Sequence, residues 1–264
     1  MLIIGERINA TRPAVKEAIF RRDSDLIKKE ARDQAGAGAD YIDVNGGTTP
    51  EEELENMLWL CEVVQSAVSA PLCIDSASPG VIEAGLKSHR NGKAMVNSIS
   101  MEAGKYESIL PLVKEHGAGV VALAMDDSGI PRTAKDRLQV VERTVEEAGK
   151  HSIPLCDVYV DPLVMALSSD GSAGLMVIEV LQGIRERWPE LRTTCGLSNI
   201  SFGLPDRRLI NRTFSAMLMA HGLDSAILDP LDKEMMATII GGRALLGRDE
   251  FCMEYIKAYR AGRL

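Results

Sequence analysis

Eight times along the chain a short apolar run ends in a carboxylate or an amide, residue types that accept and donate hydrogen bonds and move protons. LIIG leads to Glu6, YIDVN carries Asp43 and Asn45, LCID ends in Asp75 and AMVN in Asn97. VVALAMD reaches Asp126, VYVD ends in Asp161, CGLSN in Asn199 and AILD in Asp229. Gathered in one place, they would line an acid- and amide-rich pocket suited to proton handling and polar recognition.

The gathering requires an architecture that brings eight chain segments to a common point. Between the apolar runs lie segments at residues 12–37, 51–69, 79–89, 102–116, 133–150, 171–187, 207–221 and 232–246, each with apolar residues near a 3.6 period, so each reads as a helix. Strict strand and helix alternation leaves an open doubly wound sheet or a closed barrel, and eight units favour closure. In a (βα)8 TIM barrel the carboxyl ends of all strands converge on one mouth, where barrel enzymes keep their chemistry. A tail at 249–261, DEFCMEYIKAYRA, sets Phe251, Tyr255, Ile256 and Tyr259 on one helical face. It reads as an extra amphipathic C-terminal helix lying on the body or covering part of a subunit interface.

The length of 264 residues suits one barrel domain over residues 1–264, and 45% hydrophobic with 26% charged residues suits a globular chain. No membrane span is expected, because no stretch approaches ~18 consecutive apolar residues. MLIIGERINAT has no basic region before its apolar residues and reads as a first strand, not a secretory signal. A net charge of −8 argues against nucleic acid as a partner. The five cysteines are scattered and odd in number, which fits free thiols in a reducing cytoplasm. The four histidines have no metal-ligand spacing, and CxxC and HExxH are absent, so no bound metal is expected. AGAGAD and HGAGVV read as helix stops, and neither they nor GGRALLG form a dinucleotide or phosphate loop.

Asp and Asn also cap helices, so each polar strand end is weighed against that use. In CIDSAS, Ser76 or Ser78 is the better cap for the helix after Pro79, which leaves Asp75 free. Ser98 or Ser100 does the same for Asn97, and Pro162 holds Asp161 extended at its strand tip. Asn199 lies between Ser198 and Ser201, before a loop closed by Gly203 and Pro205. The Asp126–Asp127 pair before Ser-Gly reads as a solvated turn at the rim. Strand alternation points Asp43 into the barrel, as a hydrogen-bonded core carboxylate if not a mouth residue.

The motifs GERINAT, YIDVNGG, LCIDSAS, AMVNSIS, YVDPL and GLSNISFGLPDRRLINRTF, in order and across nearly the whole chain, resemble a known family. They are similar to the pterin-binding methyltransferases that use methyltetrahydrofolate and a corrinoid (cobalamin). These include the stand-alone methyltetrahydrofolate:corrinoid methyltransferases of anaerobic one-carbon metabolism and the folate module of cobalamin-dependent methionine synthase. The resemblance implies a TIM barrel, usually a homodimer, that holds the pterin at the carboxyl mouth while a separate corrinoid protein presents its cobalt. On matching positions it makes Asp75, Asn97 and Asp161 pterin-binding, places Asn199 near N5 and counts Ser198 among the folate-binding residues. Arg207 falls near the p-aminobenzoate end, Arg185 stands in place of a Lys of some relatives, and Glu6, Asp43 and Asn45 belong to mouth motifs. Phe202 stands where some carbon-fixing relatives carry Gln, and would pack on the ring or on the corrinoid.

The residue types agree with that ligand. A pterin presents an edge of adjacent N–H donors, for which Asp161 is a natural two-point acceptor, and Asn97 matches a mixed donor and acceptor edge. Methyl transfer from N5 needs a proton or a strong hydrogen bond on that nitrogen, which Asn199, with Asp75 and Asp161, would favour. The DxHxxG corrinoid fingerprint is absent, with Lys87, just before SHRNG (88–92), standing where its Asp would be, so the corrinoid must arrive on a partner. The cysteine-rich zinc site of a homocysteine module is also missing. Two other readings stand beside this one. One is a dihydropteroate-synthase-like condensation enzyme, whose Lys- and Arg-bearing signature after strand seven is replaced here by GLSNISFG; the other is a non-catalytic folate-binding subunit. The direction of transfer is not legible, because one site lowers the barrier both ways.

Overall fold

A computed structural model describes residues 1–264. The strands are β1 (Leu2–Asn9), β2 (Tyr41–Asn45), β3 (Leu72–Asp75), β4 (Met95–Met101), β5 (Gly119–Asp126), β6 (Val158–Asp161), β7 (Arg192–Thr193) and β8 (Ser225–Leu228). They form one parallel sheet in the order β7-β6-β5-β4-β3-β2-β1-β8. The remaining gap is closed by a parallel bridge between Gly196 and Ile227, with the Ile227 N–H donating to the Cys195 carbonyl at 2.9 Å. The eightfold barrel inferred from the alternation is thus observed.

The helices are α1 (Pro13–Arg21), α2 (Ser24–Ala37), α3 (Glu53–Ala67), α4 (Pro79–Ser88), α5 (Tyr106–His116), α6 (Ala134–Lys150), α7 (Ala173–Arg187), α8 (Arg207–Ala220), α9 (Lys233–Leu245) and α10 (Met253–Arg260). Alternate strand residues separate two cores. Ile4, Cys73, Met95, Val121 and Tyr159 fill the barrel interior, while residues such as Ile42, Val44, Leu72 and Ile74 pack outward against the helices. Each such aliphatic side chain contributes roughly 1.5–3 kcal/mol by leaving water. The interior filling makes the barrel a solid floor beneath the mouth.

Four local readings need correction. The segment 12–37 is two helices, because Arg22 adopts a left-handed conformation (φ 54°) and the Asp23 side chain caps α2 by accepting the Leu26 N–H at 3.1 Å. Helix α5 starts at Tyr106, after the 102 expected, and neither Ser98 nor Ser100 caps it: Ser100 Oγ donates to Glu102 at 2.6 Å. Strand β7 is only two residues long, so CGLSN does not end a strand; Leu197–Ser201 is a 3-10 turn. The C-terminal helix is shorter than expected, because Phe251 and Cys252 both adopt positive φ before α10 begins. It rests on α9, with Phe251 85% and Tyr259 72% exposed. No helix is long and apolar enough to cross a membrane, and all five cysteines are free thiols.

Candidate active site

Parallel register sets the first half of the cup. Asp75 at the end of β3 is paired in register with Asn97 of β4, and Asp43 of β2 with Cys73 one step below. Asn45 donates its amide to Asp75 Oδ2 at 3.0 Å, Asn9 donates to the same oxygen at 3.4 Å, and Asn97 donates to Asp43 Oδ1 at 3.3 Å. No cation pairs with either acid. Burial, and next the neighbouring Asp75 carboxylate, pushes the Asp43 acid well above the usual carboxylate range. Asp75 is pushed up to about 6 by burial, against the Asn45 hydrogen bond that favours its charged form. The two acids sit within each other's field, which disfavours both being charged at once. A cavity of about 230 Å³ opens beside them, lined by Asp75, Asn97, Leu123 and Met125 among others.

Ser76, not Asp75, serves the turn into α4. The Ser76 hydroxyl accepts the Ser78 N–H at 3.0 Å and donates to Glu53 at 2.6 Å, while Ser78 occupies the cap position without a side-chain bond. The Asp75 carboxylate is therefore left to the mouth, as the capping argument requires.

Asp161 closes the other half. It ends β6 in register with Leu123, is 8% exposed, and accepts the Leu163 N–H at 2.7 Å and the Gly196 N–H. No side chain donates to it. Burial pushes it up to about 6, opposed by those two backbone donors. The Gly196 bond ties Asp161 to the turn that carries Asn199. The Asn199 N–H donates back to the Gly196 carbonyl at 3.3 Å, and a Cβ at 196 would lie 3.2 Å from Asn199 Nδ2, so only glycine leaves that amide undisturbed. The Asn199 side chain is exposed and has no intramolecular partner.

Arg137 holds the Asp161 loop from behind, a role the sequence does not announce. This α6 residue is 3% exposed, has no carboxylate partner, and donates to the carbonyls of Pro131 at 3.0 Å, Leu163 at 2.7 Å and Pro162. Burial lowers its pKa and the Asp161 charge raises it again. A guanidinium's rigid fork of donors suits three converging carbonyls as no lysine would. Asn9 is the second residue not singled out from sequence.

The other expected residues divide between rim and elsewhere. Glu6 lies on the β8 side of the mouth near Ser198, Arg207 and Asp229, its acid raised first by burial and then by Asp229. Arg207 donates to the Ser198 carbonyl at 2.8 Å and Ser201 Oγ at 3.0 Å, which fixes the Asn199 turn. Phe202 is 68% exposed and caps that turn. Asp126 binds Ser128 and Arg143, an ion-paired turn at the rim. Arg185 is not at the mouth. It sits in the last turn of α7, at the opposite end of the barrel, and bonds the carbonyls of Leu191 at 3.1 Å and Gly222 and the Asp224 carboxylate. A helix that follows β6 runs away from the mouth, so its C-terminal residues cannot reach the cup.

No group of three or more His, Cys, Asp or Glu is placed to hold a metal ion. The cup instead offers acids with free lone pairs and amides that both donate and accept, a donor set matched to a flat, nitrogen-rich ring.

Residues 5–229 match the family of pterin-binding enzymes. Over its full length the chain is 43% identical to a methylcorrinoid:tetrahydrofolate methyltransferase of Eubacterium limosum, covering 98% of it. It is 32% identical, over 86% of its length, to the methionine synthase of Mycobacterium tuberculosis, of which it spans 20%. Among solved structures it is similar to dihydropteroate synthases of Clostridium difficile (TM-score 0.70, 17% identity, 93% of this chain and 96% of that one) and Xanthomonas albilineans (TM-score 0.71, 17% identity, 94% and 92%). At such identity the structural likeness speaks to the barrel alone.

Proposed function

The chain belongs to the family of pterin-binding enzymes, and from that premise we propose that it moves a methyl group between N5 of tetrahydrofolate and the cobalt of a corrinoid. The observation that carries the reading is the cup of Asp75, Asn97 and Asp161, in which both acids are held by amides or backbone N–H groups and by no cation. Asp161 accepts the paired N–H donors of the pterin pyrimidine edge, and Asn97 and Asp75 hold the remainder of the ring.

Asn199 donates to N5. An amide does this without titrating, and Asp75, pushed up to about 6, keeps a proton available within the same network near neutral pH. The corrinoid supplies the cobalt that gives or receives the methyl group, and it is carried by a separate partner protein. Dry walls around the cup, including Leu123 and Met125, keep bulk water from the transferring carbon. The chain spans only a fifth of the methionine synthase it matches, so homocysteine chemistry is not assigned to it. Exposed Leu245, Phe251 and Tyr259 on α9 and the C-terminal segment support a homodimer, and five unpaired cysteines support a cytoplasmic setting.

Turnover with 5-methyltetrahydrofolate and reduced cobalamin, followed by the cobalamin spectrum, tests the assignment. Asn199→Ala is expected to lower kcat by about 10²-fold, the usual loss when one donor to a charge-developing atom is removed. An Asn199→Ala protein with folate affinity and turnover near those of the parent would sink the role given to Asn199.

A further inference from the structure

On the outer wall of the barrel, between α9, the end of α2 and the turn that follows α10, lies a groove of about 490 Å³, a size that admits a small organic molecule. It is separate from the cup, since none of Asp75, Asn97, Asp161 and Asn199 lines it. Leu245, Phe251 and Tyr259, the exposed residues read as a subunit contact, do not line it either.

One face of α9 forms the long wall. Lys233, Met236, Ile240 and Arg243 follow at intervals of three, four and three residues, which sets them along a single side of the helix. The wall thus runs from one cation through an apolar middle to another, over about 15 Å at a rise of about 1.5 Å per residue. Ile3 of β1 and Ile239, each 3% exposed, make the floor apolar as well.

The charges around this floor do not cancel. Lys233, Arg243 and, from the C-terminal turn, Arg263 form no ion pair. Of the two acids in the wall, Glu254 is bonded to Lys257 at 2.8 Å, and Asp40 gives one oxygen to the Ile3 N–H at 2.7 Å. Asp249 lies in the field of Arg243 but is committed elsewhere, its two oxygens accepting the Glu254 and Tyr255 N–H groups, each at 2.9 Å. On a chain of net charge −8, three unpaired cations at one groove are a local positive field that draws an anion. A bare anion would leave the apolar floor wet, and a neutral apolar molecule would leave the cations unanswered.

We propose that this groove is a second ligand site, which takes an organic anion carrying an extended apolar chain. The site goes beyond methyl transfer and does not depend on the pterin reading of the cup.

Calorimetric titration with decanoate, decanol and inorganic phosphate, in the presence of tetrahydrofolate to occupy the cup, tests it. Decanoate is expected to bind about tenfold tighter than decanol at low salt, the worth of two or three exposed charge pairs. That advantage should shrink at high salt, as screening requires. Phosphate, which offers charge without a chain, should bind far more weakly than decanoate. In the double variant Lys233→Gln, Arg243→Gln the two chain-bearing ligands are expected to bind almost equally, and in Ile240→Asn both should weaken together. Decanoate binding no tighter than decanol in the parent protein would overturn the proposal without any variant, as would phosphate matching decanoate or decanoate not binding at all. A folded double variant that keeps the full preference for decanoate would overturn it too.

Discussion

At the amino end of the barrel Asp224 is crowded with donors: the Arg185 guanidinium, the Thr193 N–H at 2.9 Å and the Thr193 hydroxyl at 3.2 Å. At the carboxyl end Asp75 has two asparagine amides and Asp161 two backbone N–H groups, with no cation on either. The same residue type is thus spent at one end and held in reserve at the other. Where protein donors use up the lone pairs, the acid ties strands and helices together; where they do not, it keeps capacity for a ligand and carries the cost of burial.

The sharpest way to break that comparison is Asp161→Asn. Asp161 has its native acid pushed up to about 6, above its ordinary value near 3.8. Between those values the folded protein holds a proton that the unfolded chain releases, so stability falls as pH rises through that window, by ~3 kcal/mol in all. The asparagine carries no such penalty, and its Tm above pH 7 is expected to exceed that of the parent. Folate affinity should meanwhile drop by about 10²–10⁴-fold, the worth of two hydrogen bonds to a charged acceptor. Titration calorimetry and thermal melts check the pair of outcomes, and a variant that melts lower yet binds normally would reverse the assignment of Asp161 to the reserve.

Arg137→Gln asks whether the reserve is held in place by the scaffold. Losing the guanidinium leaves the carbonyls of Pro162 and Leu163 short of a donor and removes a cation that lowers the Asp161 pKa. Folate affinity is expected to weaken by roughly tenfold, about the cost of one misplaced charge-assisted bond. A purely structural role would stop there. A positioning role also moves the midpoint of the binding pH profile upward from its value near 6, which titration at several pH values would read.

Arg185→Ala should do the opposite of Asp161→Asn. It leaves Asp224 without its cation in a site only partly open to water, so the loss is expected at ~1–3 kcal/mol of stability. Folate affinity and kcat should stay near those of the parent, because the mouth lies at the other end of the strands. Any selective rise in KM with an unchanged Tm would return Arg185 to the ligand.

Arg185 also marks where reasoning from resemblance reaches its limit. Asp75, Asn97 and Asp161 were legible because each ends a recognisable apolar run, and closure of eight such runs fixes where their ends meet. Arg185 falls near the end of the helix expected at 171–187, so the order of strands and helices already sets it at the amino face, against the ligand role that the resemblance implied. Asn9 was hidden by a bulge: the register of β1 against β2 shifts between Gly5 and Ile8, so the inward parity that begins with Ile4 and Glu6 resumes at Asn9. The break between α1 and α2 did carry a signal, Asp23 followed by Ser24 within RRDSD, a polar stretch that interrupts the apolar period between Phe20 and Leu26. Arg137 carried none, since its partners are backbone carbonyls that no side-chain pattern reports.

The finest test lies within the cup, between the two amides that share Asp75 Oδ2. Asn45 donates at 3.0 Å and Asn9 at 3.4 Å, and hydrogen bonds weaken steeply over that interval. Asn9 is also the more tightly placed of the two, with its Oδ1 accepting the Thr11 N–H at 3.0 Å and hydroxyl at 2.7 Å. Each bond favours the charged form of Asp75, so removing either raises its pKa further above 6 and extends the pH range over which the proton is held. Asn45→Ala is therefore expected to move the alkaline limb of the kcat profile upward, and Asn9→Ala to move it less, with a loss of only about two- to threefold in kcat, the effect of a bond worth under 1 kcal/mol. An equal or larger shift from Asn9→Ala would mean that the longer contact tightens when the pterin binds, and that Asn9 belongs to the ligand as much as to Asp75.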